Sequence, residues 1–200
     1  MRKLTYYAAA TLDGYIAAPD GDFGFFDPYI PGTLPFLTGE MGDALPTPAR
    51  AAFGLADAPN ERFDTVLMGR ASYEPGLAAG LSSPYAHLRQ IVVSRSLTSS
   101  PDPAVEVTAE EPLDLVRRLK QEEGLGIYLC GGGDLAGQLL PEIDELIVKL
   151  NPVAVGSGIP LFRAGFSPNA FTLVDTRVLA NGVLVLTYAK ASGVPATAAG

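Results

Sequence analysis

A chain of 200 residues that is 48% hydrophobic and 18% charged has enough material for one domain with a full core, and it is too apolar to be disordered. A net charge of −8 argues against nucleic acid as the main partner. No apolar run reaches the roughly 18–20 residues of a membrane helix, which points away from a membrane and towards a cytoplasmic protein. A single cysteine, Cys130, leaves no internal disulfide or thiolate zinc site, and a single histidine, His87, leaves no histidine-rich metal site. Chemistry therefore has to come from a bound cofactor, or from carboxylates and hydroxyls.

Residues Leu4 to Ala10 predict a first strand. Tyr6, Tyr7, Thr11 and Asp13 interrupt the apolar stretch that a leader peptide would need, and Asp13-Gly14 marks a turn. Pro19 to Pro48 is rich in glycine, proline and aromatics without periodicity, so it reads as a long loop, either a binding lid or an ordinary insertion. Phe23, Phe25 and Phe26 within it would line a pocket or anchor the loop. A short helix is expected over Pro48 to Asp57, a buried strand over Thr65 to Met68, a helix from near Arg70, and a strand over Ile91 to Ser94.

From Glu110 to Glu123 the helix signals agree. Pro112 stands at the start, Leu115, Val116 and Leu119 form an apolar stripe, Arg117, Arg118 and Lys120 crowd the carboxyl end, and Gly124 supplies the stop. Ile127 to Cys130 is a strand running into Gly131, Gly132 and Gly133, followed by a helix with Leu135, Leu139 and Leu140 that breaks at Pro141. Leu146 to Leu150 is the next strand. Phe171 to Val178 and Val183 to Ala189 form a hairpin around Asn181-Gly182. These elements predict a single α/β domain over residues 1–190, with a mostly parallel sheet, an antiparallel C-terminal hairpin and a flexible tail over 191–200.

Open α/β sheets bind ligands at the carboxyl ends of their strands, and three such ends carry suitable residues. In IYLCGGG, glycines allow a sharp turn and close approach of bare backbone N–H groups, although the GxGxxG spacing is absent. In VLMGRASYE, Gly69 permits close approach while Arg70 and Ser72 stand at a helix start, where a guanidinium can fork onto phosphate. In IVVSRSL, Ser94, Arg95 and Ser96 suit a 2′-phosphate. Each of the three also has an ordinary structural explanation, as a tight turn, a helix cap or surface charge. Their combination in an otherwise acidic chain is what points to a dinucleotide.

The segments TLDGYIA, LMGRASYE, VVSRSL, YLCGGGDLAGQLL and NPVAVGSGIPLF, in this order, resemble the dihydrofolate reductase-like family. The closest likeness is to its branch containing the reductase domain of bacterial riboflavin biosynthesis. The resemblance implies a dihydrofolate reductase-like three-layer fold, α/β, with helices on both faces of the sheet and NADPH across the strand ends. Gly69, Arg70 and Ser72 would then hold the pyrophosphate and neighbouring phosphate, and Ser94 and Arg95 the adenosine 2′-phosphate. Gly131, Gly132, Gly133, Asp134 and Leu135 would contact pyrophosphate and ribose, and Ala10, Thr11 and Ile16 would border the nicotinamide. Family members commonly form homodimers, with NPVAVGSGIPLF and the terminal hairpin as the expected contact.

Departures from the family narrow the substrate. The chain has no tryptophan, and Arg50, Ala51, Ala52 and Phe53 stand where a pterin-anchoring acid would be sought, which points away from folate. No HxE or PCxxC deaminase motif occurs. Asp13 is either a plain turn residue or a carboxylate beside the nicotinamide that positions substrate or relays a proton. His87 reads as a solvated or capping residue, and Cys130 as a small buried hydrophobe. The expected activity is hydride transfer from NADPH to a small heterocyclic or carbonyl-type substrate. Reduction of the ribosylaminopyrimidine of riboflavin biosynthesis and idle NADPH binding remain as alternatives.

Overall fold

The computed structural model describes residues 1–191; the tail expected from 191 onward lies, from residue 192, outside the described residues. In chain order the elements are β1 (Leu4–Ala10), β2 (Tyr15–Ala17), α1 (Ile30–Glu40), α2 (Thr47–Ala52), β3 (Phe63–Gly69), α3 (Arg70–Ala78), β4 (Arg89–Val93) and β5 (Val105–Thr108). They continue with α4 (Pro112–Gln121), β6 (Gly126–Gly131), α5 (Gly133–Leu139), β7 (Glu145–Leu150), β8 (Ile159–Pro160), β9 (Phe171–Val178) and β10 (Leu184–Lys190). Eight strands form one sheet in the order β5-β4-β3-β6-β1-β7-β10-β9, and β2 pairs with β8 in a small second sheet. The six strands from β5 to β7 are parallel, while β10 pairs antiparallel with β7 and β9 antiparallel with β10. Among the described residues no helix is long and apolar enough to cross a membrane.

The inner strands are apolar at consecutive positions because both faces of a parallel sheet are covered. Alternation sends Tyr6 to one face, with Leu67, Ile91, Leu129 and the apolar stripes of α4 and α5, and Tyr7 to the other, with Phe36, Met41, Phe63, Tyr73 and Tyr128. The result is the three-layer arrangement expected. Parallel pairing also brings the carboxyl ends of β4, β3, β6 and β1 to one edge: Gly69 lies beside Val93, Met68 beside Gly131, and Ala10 beside Leu150.

The segment 19–48 departs from expectation. It is mostly helical: a 3₁₀ turn over Gly24–Tyr29 leads into α1, and a second covers Gly42–Ala44. Local propensity hides this, because α1 carries Pro31, Pro35, Gly32 and Gly39, all poor helix formers. Its support is tertiary. A methyl group at Gly32 would fall 2.5 Å from Asn181 Cβ, so the glycine lets the hairpin turn seat directly on the helix. Asn181 Nδ2 also donates to the Tyr29 carbonyl at 2.6 Å. Within the 3₁₀ turn Phe26 is buried and anchors the segment, whereas Phe23 is exposed.

Helix α2 ends at Ala52 rather than near Asp57, since the chain turns at Gly54 with φ +75°. Its Arg50 is buried and meets Asp43 at 3.1 Å. Asp43 Oδ2 accepts the backbone N–H groups of Glu61, Arg62 and Phe63 at 2.8, 2.7 and 3.1 Å, tying the helical segment to the start of β3. Burial pushes the Asp43 carboxyl up, but these donors and Arg50 outweigh it and hold its pKa below the usual range. His87 belongs to the same cluster: Nε2 donates to the Asp43 carbonyl at 3.0 Å and Nδ1 accepts from Thr47 Oγ1 at 2.7 Å. Burial lowers its pKa, and with both ring nitrogens engaged the residue serves the packing of this cluster. Strands β2, β5 and β8 are too short and too mixed in composition to have been anticipated.

Candidate nucleotide site at the strand ends

The three consecutive glycines that lead from β6 into α5 differ in purpose. Gly131 has φ +108° and packs on the Tyr6 ring, where a methyl group would stand 3.4 Å from Cε2. Gly133 is closed by the chain itself: a methyl group there would fall 2.2 Å from the Pro160 carbonyl oxygen, and the Arg163 N–H donates to the Gly133 carbonyl at 2.9 Å. Only Gly132 has an open face. A methyl group on it would meet nothing nearer than Ser72 Oγ at 3.7 Å and Ile16 Cδ1 at 3.9 Å. Gly69 approaches the same corner, with Gly131 O 3.5 Å and Leu135 Cβ 3.7 Å from where its Cβ would be. Gly69, Ser72, Ile16 and Gly132 thus converge from three different segments.

On the adjacent strand ends Arg70 Nη1 donates to Ser96 Oγ at 2.9 Å, bridging β3 and β4. Ser94 is buried, and its Oγ accepts the N–H groups of Ser96 and Leu97 at 3.2 and 2.9 Å, which fixes the turn. Arg95 does not join Arg70. Its side chain is 77% exposed and pairs with Glu111 at 3.1 Å. So exposed a pair is worth only about 0–1 kcal/mol, and an incoming phosphate can displace it. Glu74 meets Arg70 one helical turn on, at 3.4 Å. Ser96 was visible from sequence as a hydroxyl after β4, but its bond to Arg70 depends on the guanidinium crossing between strands.

The turn after β1 is fixed by hydrogen bonds. Thr11 is buried, its hydroxyl donating to Asp13 Oδ1 at 2.6 Å and accepting from the Tyr15 N–H at 2.9 Å. The Ala10 carbonyl accepts the Asn151 N–H at 2.8 Å. Asp13 Oδ2 accepts from the N–H groups of Val155 and Gly156 at 3.1 and 2.6 Å. The Thr11 hydroxyl and those backbone donors keep the Asp13 carboxyl below its ordinary pKa. Its acceptor sites are spent on joining the turn after β1 to the loop after β7. Asp13→Ala is expected to speed amide hydrogen exchange at Val155 and Gly156 while leaving core amides protected; unchanged exchange there would show the contact to be idle. Leu135 is buried behind Gly69, and Asp134 pairs with Arg163 at 3.2 Å on the surface.

Residues 2–185 match the RibD C-terminal domain. The chain belongs to the RibD C-terminal domain family. Two similar proteins are uncharacterised proteins of Bacillus subtilis. YwjB is 33% identical over 91% of this chain and 95% of its own, and YyaP is 26% identical over 94% of each. Among solved structures, a putative riboflavin biosynthesis protein from Shewanella sp. PV-4 superposes with a TM-score of 0.66 at 23% identity, covering 94% of this chain and 99% of that one. A diaminohydroxyphosphoribosylaminopyrimidine deaminase/5-amino-6-(5-phosphoribosylamino)uracil reductase from Thermotoga maritima gives 0.60 at 15% identity, over 95% of this chain and 57% of that longer one. The fold of this RibD C-terminal domain relative is thus the dihydrofolate reductase-like fold expected from its motifs.

Proposed function

We propose that this RibD C-terminal domain relative is a reductase that binds NADPH across the ends of β1, β6, β3 and β4 and reduces a small heterocyclic or carbonyl-type substrate. The observation that carries the reading is the open face of Gly132, flanked by Ser72 and Ile16 and continuous with Arg70 at the next strand ends. Backbone without a side chain suits a pyrophosphate, and α3, which Arg70 begins, adds its positive end. Arg70, Ser72 and Gly69 would hold the phosphates. Ser94, Ser96 and Arg95 would meet the 2′-phosphate, and Ala10, Thr11, Ile16 and Leu135 would shape the nicotinamide end. NADPH would supply a hydride at its nicotinamide C4; the protein's task is to orient both partners and exclude water. Asp13 acts by holding the turn that carries Ile16.

Titration of the purified protein with NADPH, followed by the cofactor's own fluorescence, tests this directly. Micromolar binding with clear preference over NADH is expected. Arg70→Ala should weaken NADPH binding by about tenfold or more, as expected for loss of a charge-assisted hydrogen bond. Absence of binding, or equal affinity for NADH, would overturn the reading. The family match favours one particular substrate, the ribosylaminopyrimidine named for the Thermotoga neighbour. NADPH consumption with that compound alone would select it.

A homodimer is the proposed assembly, with β9 at the contact. This edge strand exposes Leu173, Val174 and Val178 at 50%, 58% and 74%, on both of its faces. Light scattering should give twice the chain mass, and Val174→Lys should shift it to the monomer; a monomeric parent would end the proposal.

A further inference from the structure

Two polar side chains on the sheet face beneath α1 lack a polar partner among the described residues. Tyr7 is only 6% exposed, and its hydroxyl makes no hydrogen bond. Lys149, on the neighbouring strand β7, is partly buried, and its Nζ stands 5.2 Å over the Tyr7 ring. Burial alone, with no charged neighbour contributing, pushes its ammonium down to about 8. A buried hydroxyl without a partner is destabilising, and a lysine withdrawn from water without a counter-charge adds to that. An aliphatic residue and a phenylalanine would fill these positions at no such cost. The two groups are therefore kept for something that completes them.

Their place in the sheet says what that is. The register sets Lys149 opposite Ala9, one residue before Ala10 and two before the buried turn at Thr11. It thus stands at the same carboxyl edge as Gly132, on the face away from α4 and α5. Phe36 of α1 meets the Tyr7 ring edge-on at 6.5 Å, and Tyr128 lies 6.1 Å from it, so aromatic rings of α1 and β6 pack against the Tyr7 ring. Helix α1 is held over them through Tyr29, whose hydroxyl donates to the Pro152 carbonyl at 3.4 Å.

We infer that Tyr7 Oη and Lys149 Nζ form the polar end of the substrate pocket, holding the carbonyl or oxyanion oxygen of a planar ring. The inference rests on the NADPH-reductase reading above and adds to it the class of substrate and the source of the proton. Lys149 Nζ would give a proton to that oxygen as the carbon bonded to it is reduced, the hydride being what NADPH would supply when bound. The amine recovers one from water, so one hydride and one proton have been added across the double bond. Tyr7 donates a hydrogen bond to the same acceptor and keeps it within reach of the ammonium.

The test uses full-length protein labelled with ¹³C-lysine, the Lys149 Cε resonance being assigned with Lys149→Arg. The probes are 5-aminouracil and pterin, two flat carbonyl-bearing rings, added with and without NADP⁺. The Lys149 resonance should move to saturation with a probe. Lys149→Met and Tyr7→Phe should each weaken that probe by about tenfold, with Lys149→Arg closer to the parent, while NADPH affinity stays the same in all of them. A Lys149 signal that ignores both probes, or probe affinity unchanged in the variants, would overturn the inference and leave the pair holding water. Because the resonance is read in the parent protein, a variant that fails to fold does not blunt the result. Failure of NADPH to bind the parent would instead overturn the reductase reading, and the probe titration separates the two.

Discussion

Asp43→Ala is expected to remove about 3–5 kcal/mol of folding stability, read as a fall in the urea midpoint at unchanged slope. The substitution strips Arg50 of its only carboxylate partner among the described residues while both side chains are buried, and it orphans three backbone N–H groups at the entry to β3. Asp43→Asn should lose less, since an amide oxygen still accepts from the backbone although it cannot neutralise the guanidinium. A pH dependence follows from the lowered carboxyl pKa. The stabilisation is complete above the unfolded carboxylate value of about 3.9 and disappears as pH falls through the lower folded value. The parent should therefore lose more stability than Asp43→Ala as pH falls from 5 into strong acid. Equal stability of parent and Asp43→Ala at neutral pH would show the cluster to be incidental.

Adjacent glycines after β6 should respond in opposite ways. Gly133→Ala drives a methyl group to within 2.2 Å of a backbone carbonyl, which side-chain rotation cannot relieve, so a loss of about 1–3 kcal/mol or more is expected from forced separation of α5 and β8. Gly132→Ala meets ordinary contacts at 3.7 and 3.9 Å with φ −83°, so it should leave stability unchanged or higher by up to about 1 kcal/mol. Its effect should fall on NADPH, weakened by about tenfold or more because the methyl group occupies the face offered to the pyrophosphate. Thermal melts and cofactor titrations of the two variants separate these outcomes. If Gly132→Ala binds NADPH like the parent, the nucleotide does not use that face.

Much of this was legible in the chain because it depends on local chemistry. The apolar stripe and basic carboxyl end of α4, the stop of α5 at Pro141 and the Asn181-Gly182 hairpin are each decided within a turn or two of backbone, and the structure has them where the residues put them. The strand ends bearing Gly69, Ser94 and Gly131 were likewise visible, since a buried strand followed by glycine, hydroxyl and arginine is a short-range pattern. Helix α1 was not, because its prolines and glycines oppose helix formation locally and only the seat on Asn181 makes the conformation favourable. Lys149 carried one weak signal, a charge set among the apolar residues of LIVKL (Leu146 to Leu150), without meaning until its neighbour was known.

By itself, then, the order of apolar and polar residues determined the run of strands and helices, the parallel character of the sheet, and the edge at which its loops gather. Periodicity and turn chemistry act over a few residues and need no partner. Tertiary structure alone decided which glycine is open and which is closed by Pro160, that Arg70 reaches Ser96 while Arg95 turns to Glu111, and that Tyr7 and Lys149 share a face. Those are relations between side chains far apart in the chain, created only when β1, β3, β4, β6 and β7 are laid side by side, and no local rule contains them.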